Sequence, residues 1–292
     1  MAGSLPSRAF APAAADSDSL RNTQRFYVAS GMLFSGGLFS LYQAWYQPYN
    51  FGHFRFFNDT REWRGIDKLG HFSGTWWACQ WLYETASITG LPVSHRMPVS
   101  LGLPLLFMTT VEIFDGFSSG YGFSPADVAA NVAGASLFYL QQKHLGRQDF
   151  TMKISFSRND LNTYRPELLG RSWPETWLKN YNGQTHWLSY PIKQMGGFFR
   201  VVPGWVCISA GYSAGGMLGG ITNRWVADGK LLDYTSIKRY SRYLISFDID
   251  LLKLPFRGKA WRFFTSGIRW VKIPFPALEY SIQGWKAYAL YW

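Results

Sequence analysis

Near Gly146 the spacing of apolar residues changes from a helical repeat to strict alternation, so one kind of secondary structure cannot serve both halves of the chain. The change implies an α+β fold: an N-terminal bundle of about four apolar, membrane-type helices followed by a small antiparallel β-rich extension. The expected boundaries are a disordered or residual targeting segment over 1–22, a helical domain over 23–146 and a basic, aromatic-rich β extension over 147–292.

The helices can be placed from their punctuation. Phe26 to Tyr46 carries no charge and is long enough to span a bilayer core, with Ser30, Gly31, Ser35, Gly36, Gly37 and Ser40 supplying the small residues that let membrane helices approach closely. Asp67 reads as the N-cap of a second helix that Gly90 and Pro92 stop. A third starts after Met97-Pro98, with a kink expected at Pro104, and reaches Asp115. Ser124-Pro125-Ala126-Asp127 is a helix start, with a hydroxyl at the cap, proline at the first position and an acid at the third. That fourth helix runs to about Gln142.

Beyond Gly146, Met152, Ile154 and Phe156 alternate with Lys153, Ser155 and Ser157, which reads as a strand. Strands are also expected over Trp205–Tyr212, around Tyr243–Leu251 and at the terminal Lys286–Trp292, with a short amphipathic helix near 259–269 and irregular chain over 158–199. About five strands are too few for a bacterial outer-membrane barrel, which needs at least eight. A small sheet packed on the helices, or lying against a membrane surface, follows instead.

Composition points to the same surroundings. Aromatic residues make up 18% of the chain and charged residues 16%, below the roughly 25% of ordinary soluble domains. Residues 1–150 hold ten basic and ten acidic residues, whereas 151–292 hold nineteen and eight, so the whole net charge of +11 sits in the second part. The basic residues are interleaved with Trp, Tyr and Phe, which suits a membrane interface. Nucleic acid is not expected as a partner, for the chain has no recognisable nucleic-acid-binding motif. Cys79 and Cys207 have no metal-binding spacing and read as buried free thiols.

Chemistry is concentrated in residues 66–142. Asp67 and His71 are four apart, Glu112 and Asp115 three apart, and Asp127 and Asn131 four apart, so each pair shares one face of its helix. Polar groups among apolar helices need partners, and His71, Glu112, Asp115 and Asn131 are expected to converge. Three roles fit such a cluster. Asp67 and Asp127 can be helix caps, with His71, Glu112 and Asn131 as hydrogen-bonded glue. His71, Glu112, Asp115 and Asp127 can ligate a divalent metal, although no motif calls for a cofactor. His71, Glu112 and Asp115 can do acid–base catalysis. No serine sits in a Gly-x-Ser-x-Gly setting, and the glycine cluster at 211–220 lacks the ending of a phosphate loop.

Asp67-Lys68-Leu69-Gly70-His71, Glu112-Ile113-Phe114-Asp115-Gly116 and Phe123 through Gly134 resemble the YfiM-like family of unknown function and, more distantly, VanZ-type membrane proteins. The resemblance covers about residues 66–140. It implies a location in the bacterial cell envelope, the outer membrane favoured over the inner, and no established activity. Members are often predicted lipoproteins; the N-terminal region here has no cysteine to carry the lipid. The expected function is a non-enzymatic structural or binding module of the outer membrane or periplasm, with membrane lipid and another envelope protein as partners. The alternative is a membrane enzyme acting on an anionic lipid or cell-wall precursor through the acid/His cluster.

Overall fold

The computed structural model describes residues 17–46 and 49–292. Most of the segment expected to be disordered or targeting lies outside the described residues, but its end, from Ser17, is already helical.

Four long helices come first: α1 (Ser17–Leu41), α2 (Ile66–Ile88), α3 (Val93–Phe117) and α4 (Pro125–Leu145). Among the described residues, α3 alone is long and apolar enough to cross a membrane. Of the four membrane-type helices expected, α3 is therefore the one that meets this test, and it is not the segment from Phe26 to Tyr46. The reason is composition: α1 is diluted by serine, glycine and glutamine, while α2 and α4 each carry charged or amide groups along their length. Regular α1 ends at Leu41, and a wider π turn follows over Tyr42–Tyr46.

The cap of α2 also differs from expectation. Gly65, with φ of 79°, caps the helix, and Asp67 lies in its first turn. The start of α4 is as its sequence implies: the Ser124 hydroxyl accepts from the Asp127 amide at 3.1 Å, and Gly146 ends the helix at φ 64°.

α2 is the element on which the others pack. It crosses α4 so closely that a Cβ on Gly134 would fall 2.2 Å from the Phe72 carbonyl oxygen. Trp76, Cys79, Ala135, Phe138 and Met152 form the core beneath this crossing, so the first strand after Gly146 is packed into the helical core. The Trp76 indole donates to Gln148 at 3.3 Å and the Trp77 indole to the Gly267 carbonyl at 3.0 Å.

The second half holds strands β1 (Thr151–Phe156), β2 (Gln184–Pro191), β3 (Val206–Gly215), β4 (Arg224–Ala227), β5 (Lys230–Asp233), β6 (Tyr240–Ile249), β7 (Phe275–Ser281) and β8 (Gly284–Tyr291). Short helices α5 (Pro166–Leu169), α6 (Trp173–Lys179) and α7 (Lys259–Ile268) lie between them. Six strands make one antiparallel sheet in the order β1-β2-β3-β6-β7-β8, and β4-β5 is a separate hairpin. The free edge of β1 is covered by the chain before β7: Ile154 exchanges backbone hydrogen bonds with Trp270 and Lys272 at 2.7 and 2.8 Å.

The sheet curls. Thr185 on β2 meets the Tyr291 hydroxyl on β8 at 2.9 Å, although three strands separate them in the order, so the face they share is the concave one. That face is closed and mostly polar. The Lys153 ammonium lies 2.8 Å from Asp248, Ser189 donates to the same carboxylate at 2.6 Å, and Arg242 reaches Ser213 at 2.7 Å around a small core of Trp187, Leu244 and Ala277. The expectation of about five strands and irregular chain over 158–199 missed β2, where serine and threonine point inward and leucine outward. Both cysteines are buried and free.

Candidate functional site

A cavity of about 870 Å³ opens where the helices meet β1 and β2. Trp45, Tyr46, Trp63, Trp77, Tyr121 and Trp270 supply aromatic wall, and Asp59, Asp67, His71, Asp115 and Asp127 line its polar end. Residues four and seven apart on α2 share a face, and Asp67, His71 and Gly74 are presented to the cavity together.

Lys68 is the cation at the centre. Its ammonium lies 2.7 Å from Asp59, 3.0 Å from Asp67 and 2.7 Å from Asp127. Burial alone would lower the Lys68 pKa, but Asp67, Asp127 and Asp59 outweigh it and hold the pKa above its usual value. Further bonds fix the carboxylates: Tyr181 donates to Asp67 at 2.7 Å and Ser124 to Asp59 at 2.6 Å. Motif reading had not singled out Lys68, Asp59 or Tyr181 for the cluster.

His71 sits behind this group with its two nitrogens in different surroundings. Nδ1 is 3.2 Å from the Asn131 side-chain oxygen, which also accepts the Thr75 hydroxyl at 2.9 Å. An oxygen already accepting there assigns the imidazole proton to Nδ1 and leaves Nε2 as a bare acceptor. Nε2 stands 4.0 Å from Asp67 and 3.8 Å from Asp127. Glu112 is buried behind the ring, one carboxyl oxygen 3.7 Å from Nδ1 and the other accepting the Ser124 amide at 3.1 Å. Asp115 is held with Tyr46 on the cavity wall. His71, Glu112, Asp115 and Asn131, expected to converge, lie around one site together with Asp67 and Asp127, but the group divides: Asp67, His71 and Asp127 bring donor atoms within 4.8 Å of one another, whereas Glu112 lies behind the imidazole and Asp115 pairs with Tyr46. Of the expected metal set of His71, Glu112, Asp115 and Asp127, only His71 and Asp127 bring donor atoms together, with Asp67 as the third; Glu112 reaches only the other nitrogen of the ring.

A second histidine, missed because it lies on β2, lines the same cavity. His186 Nδ1 is 3.1 Å from the Ser73 hydroxyl, which donates to the Leu69 carbonyl at 2.6 Å, so Nδ1 is the donor and Nε2 carries the lone pair. Nε2 is buried and has no partner among the described residues. Burial pushes this imidazole down to about 4, so it is neutral at physiological pH.

The backbone leading into the site is strained. Trp63 and Arg64 adopt left-handed conformations, at φ 48° and 54°, immediately before Gly65. Such residues cost on the order of 1–3 kcal/mol each and persist where their surroundings hold them. Here the Gly220 carbonyl takes the Trp63 amide at 2.8 Å, and the Tyr212 hydroxyl donates to the Arg64 carbonyl at 2.8 Å.

The protonation pattern makes a testable statement about stability. Burial raises Glu112 to about 8, Asp115 to about 7 and Asp127 to about 6, each opposed in part by a neighbouring cation or hydrogen bond. A carboxyl group raised in the folded state binds its proton more tightly there, so its contribution to stability falls as pH rises through the interval above its unfolded value. The melting temperature is expected to rise as pH is lowered from about 8 to about 6.5, the reverse of ordinary acid sensitivity. Below about 6.5, protonation of the unfolded His186 opposes the gain. Calorimetry across this range checks it, and a melting temperature that falls steadily from pH 8 to 6.5 would show the carboxyls to be solvated.

Comparison with family models matches residues 55–143 to a family described as "Predicted periplasmic lipoprotein (DUF2279)". The match spans just under a third of the chain and contains every cluster residue that α2, α3 and α4 contribute. No curated protein and no solved structure matches the chain. Of the resemblance read from the motifs, the match carries neither the YfiM nor the VanZ likeness; it supports similarity to an envelope family of unknown function, and with it a cell-envelope location.

Proposed function

We propose that this chain is a membrane-seated envelope protein whose cavity binds an amphiphilic lipid or cell-wall precursor and performs acid–base chemistry on its polar end. The observation that carries the reading is that the acid/His cluster borders an open cavity of about 870 Å³, when a purely structural cluster would be closed by its own hydrogen bonds. His71 is the base. Its Nε2 is free toward the cavity and Asn131 fixes the tautomer, while Glu112, which burial keeps largely protonated near pH 7, packs behind the ring. Lys68 neutralises the surrounding carboxylates, and aromatic walls suit the apolar part of the ligand. Strained backbone at Trp63, which lines the same cavity, and at the adjoining Arg64 also supports a functional site.

Gly74 offers the test. It faces the cavity with nothing within 4 Å of where a Cβ would stand, so Gly74→Leu fills ligand space without a clash, at a helical position where any side chain improves on glycine. The detergent-purified full chain is incubated with a total lipid extract of a Gram-negative envelope and examined by native mass spectrometry. Lipid adducts are expected on the wild type, absent from Gly74→Leu and retained on His71→Gln, with conversion of the bound species by the wild type alone. Equal adducts on Gly74→Leu would remove the binding reading. Adducts without conversion would leave a binding protein and remove the catalytic one.

A divalent metal is the second reading, favoured by the close donor atoms of Asp67, His71 and Asp127. Against it, Lys68 already sits 2.7 Å from the Asp127 oxygen such an ion would need. A doubly charged ion about 4 Å from that ammonium would meet repulsion of roughly 8 kcal/mol at an effective dielectric of about 20. Titration of the dialysed protein with manganese or zinc is expected to give no stoichiometric binding; one ion per chain, lost in Asp67→Asn, would replace the lysine-centred reading.

A further inference from the structure

The six-stranded sheet is inverted relative to a sheet that faces water. Its closed, concave face holds the Lys153–Asp248 pair, Lys272, the Arg242–Glu279 pair and a run of serines, while its open face holds the large apolar side chains. A sheet with one solvated face has the opposite arrangement, apolar inward and polar outward. Polar-in, apolar-out alternation is what a strand adopts when lipid lies outside.

Register sorts the open face into rows. Tyr212, Tyr243, Tyr280 and Trp285 are direct cross-strand neighbours on β3, β6, β7 and β8. Two residues along, Leu188, Ala210, Ile245, Leu278 and Ala287 form a purely aliphatic row. Two further, Tyr190, Ile208 and Phe247 bring aromatics back. One aromatic row with aliphatic side chains and Phe247 beyond it matches the interfacial and hydrocarbon levels of one leaflet. From Tyr243 to Phe247 the band is about 14 Å high at about 3.4 Å per residue, close to one leaflet of a hydrocarbon core about 30 Å thick. A shallow apolar groove of about 310 Å³, lined by Ile208, Ile245, Phe247, Leu278 and Ala287, runs across the band. Nineteen basic against eight acidic residues in this half complement an anionic surface.

We infer that the open face of β3-β6-β7-β8 is seated in one leaflet of a phospholipid membrane, with the Tyr212–Tyr243–Tyr280–Trp285 row at its interface. The inference rests on the sidedness of the sheet, independently of any ligand in the cavity.

Both native cysteines are buried, so Ala287→Cys, exposed at the centre of the band, can be labelled alone with an environment-sensitive fluorophore. The full chain is mixed with vesicles of phosphatidylethanolamine and phosphatidylglycerol and separated by flotation. Wild-type protein is expected to float, and the label to shift to the blue and be quenched by acyl-chain spin labels. The double variant Ile245→Glu/Leu278→Glu, altered only at exposed positions, is expected to lose about a hundredfold or more in vesicle partition while keeping the wild-type circular dichroism spectrum. Failure of the wild type to float overturns the inference. So does flotation with the label still in water, which would assign membrane contact to the helices. A double variant that binds vesicles normally but changes from dimer to monomer would make the face a contact between two copies, and also overturns it.

Discussion

Lys68→Met is expected to lose about 3 kcal/mol of stability at pH 7, toward the lower end of what removal of one partner from a buried ion pair costs, because the Lys68 side chain retains 17% exposure. Three carboxylates depend on that single ammonium. Without it Asp59, Asp67 and Asp127 would face one another across the cavity with no ammonium between them. The sign of the pH dependence follows from the titrations. The Lys68 pKa is raised in the folded state, so its contribution is fully present below its ordinary value near 10.4 and is lost only as pH rises through the higher folded value. At pH 7 the full difference from wild type is therefore measured. In the variant the carboxylates take up protons instead, and the gap should narrow as pH falls toward 5. Asp127→Asn added to Lys68→Met removes one of the stranded charges and should recover part of the loss. Urea melts of the three proteins at pH 7 and 5 check this. A single variant as stable as wild type at pH 7 would mean that the cluster is hydrated and that Lys68 is one surface charge among many.

His71, Glu112, Asp115, Asp127 and Asn131 were legible because helical spacing puts each pair on one face and apolar neighbours force polar groups to seek one another. Lys68 was not, since a lysine beside an aspartate reads as an ordinary solvated pair, and only the crossing of α2 over α4 turns it inward. Gly134, which permits that crossing, carried no signal beyond being a glycine in a helix. Tyr181 and His186 come from segments far away in sequence, and Asp59 from the irregular connection before α2, with no helical spacing to link it to the pairs. The alternation of Tyr243, Ile245 and Phe247 identified β6, yet an apolar face is ordinarily assigned to the interior, and here it is the exposed one. The same reversal hid β2, whose inward residues are Thr185, Trp187 and Ser189. Strand detection depends on period alone, but sidedness depends on what lies outside, and that is not written in the period.

Sidedness can be tested from within the sheet. Asp248→Leu is expected to destabilise the protein by about 3–5 kcal/mol at pH 7, the cost of leaving buried charge without its partner. Asp248 is fully buried and faces Lys153 at 2.8 Å and Lys272 at 3.8 Å, with Ser189 donating at 2.6 Å. Its removal strands two ammonium groups on the closed face. Burial already holds Lys272 down to about 8, even with Asp248 supporting its charge. A lysine lowered in the folded state gives up stability as pH falls from its unfolded value near 10.4 through the folded one, so raising the pH to about 10 should restore part of what Asp248→Leu loses. Lys153→Met combined with Asp248→Leu should be less damaged than Asp248→Leu alone, because an apolar pair of similar volume can replace a buried ion pair at little cost. Denaturant melts of both variants at pH 7 and 10 separate the outcomes. If Asp248→Leu were as stable as the wild type, water would have to reach Lys153 and Lys272; the concave face would then be an ordinary wet surface, and the apolar rows on the other side would lose the contrast that assigns them to lipid.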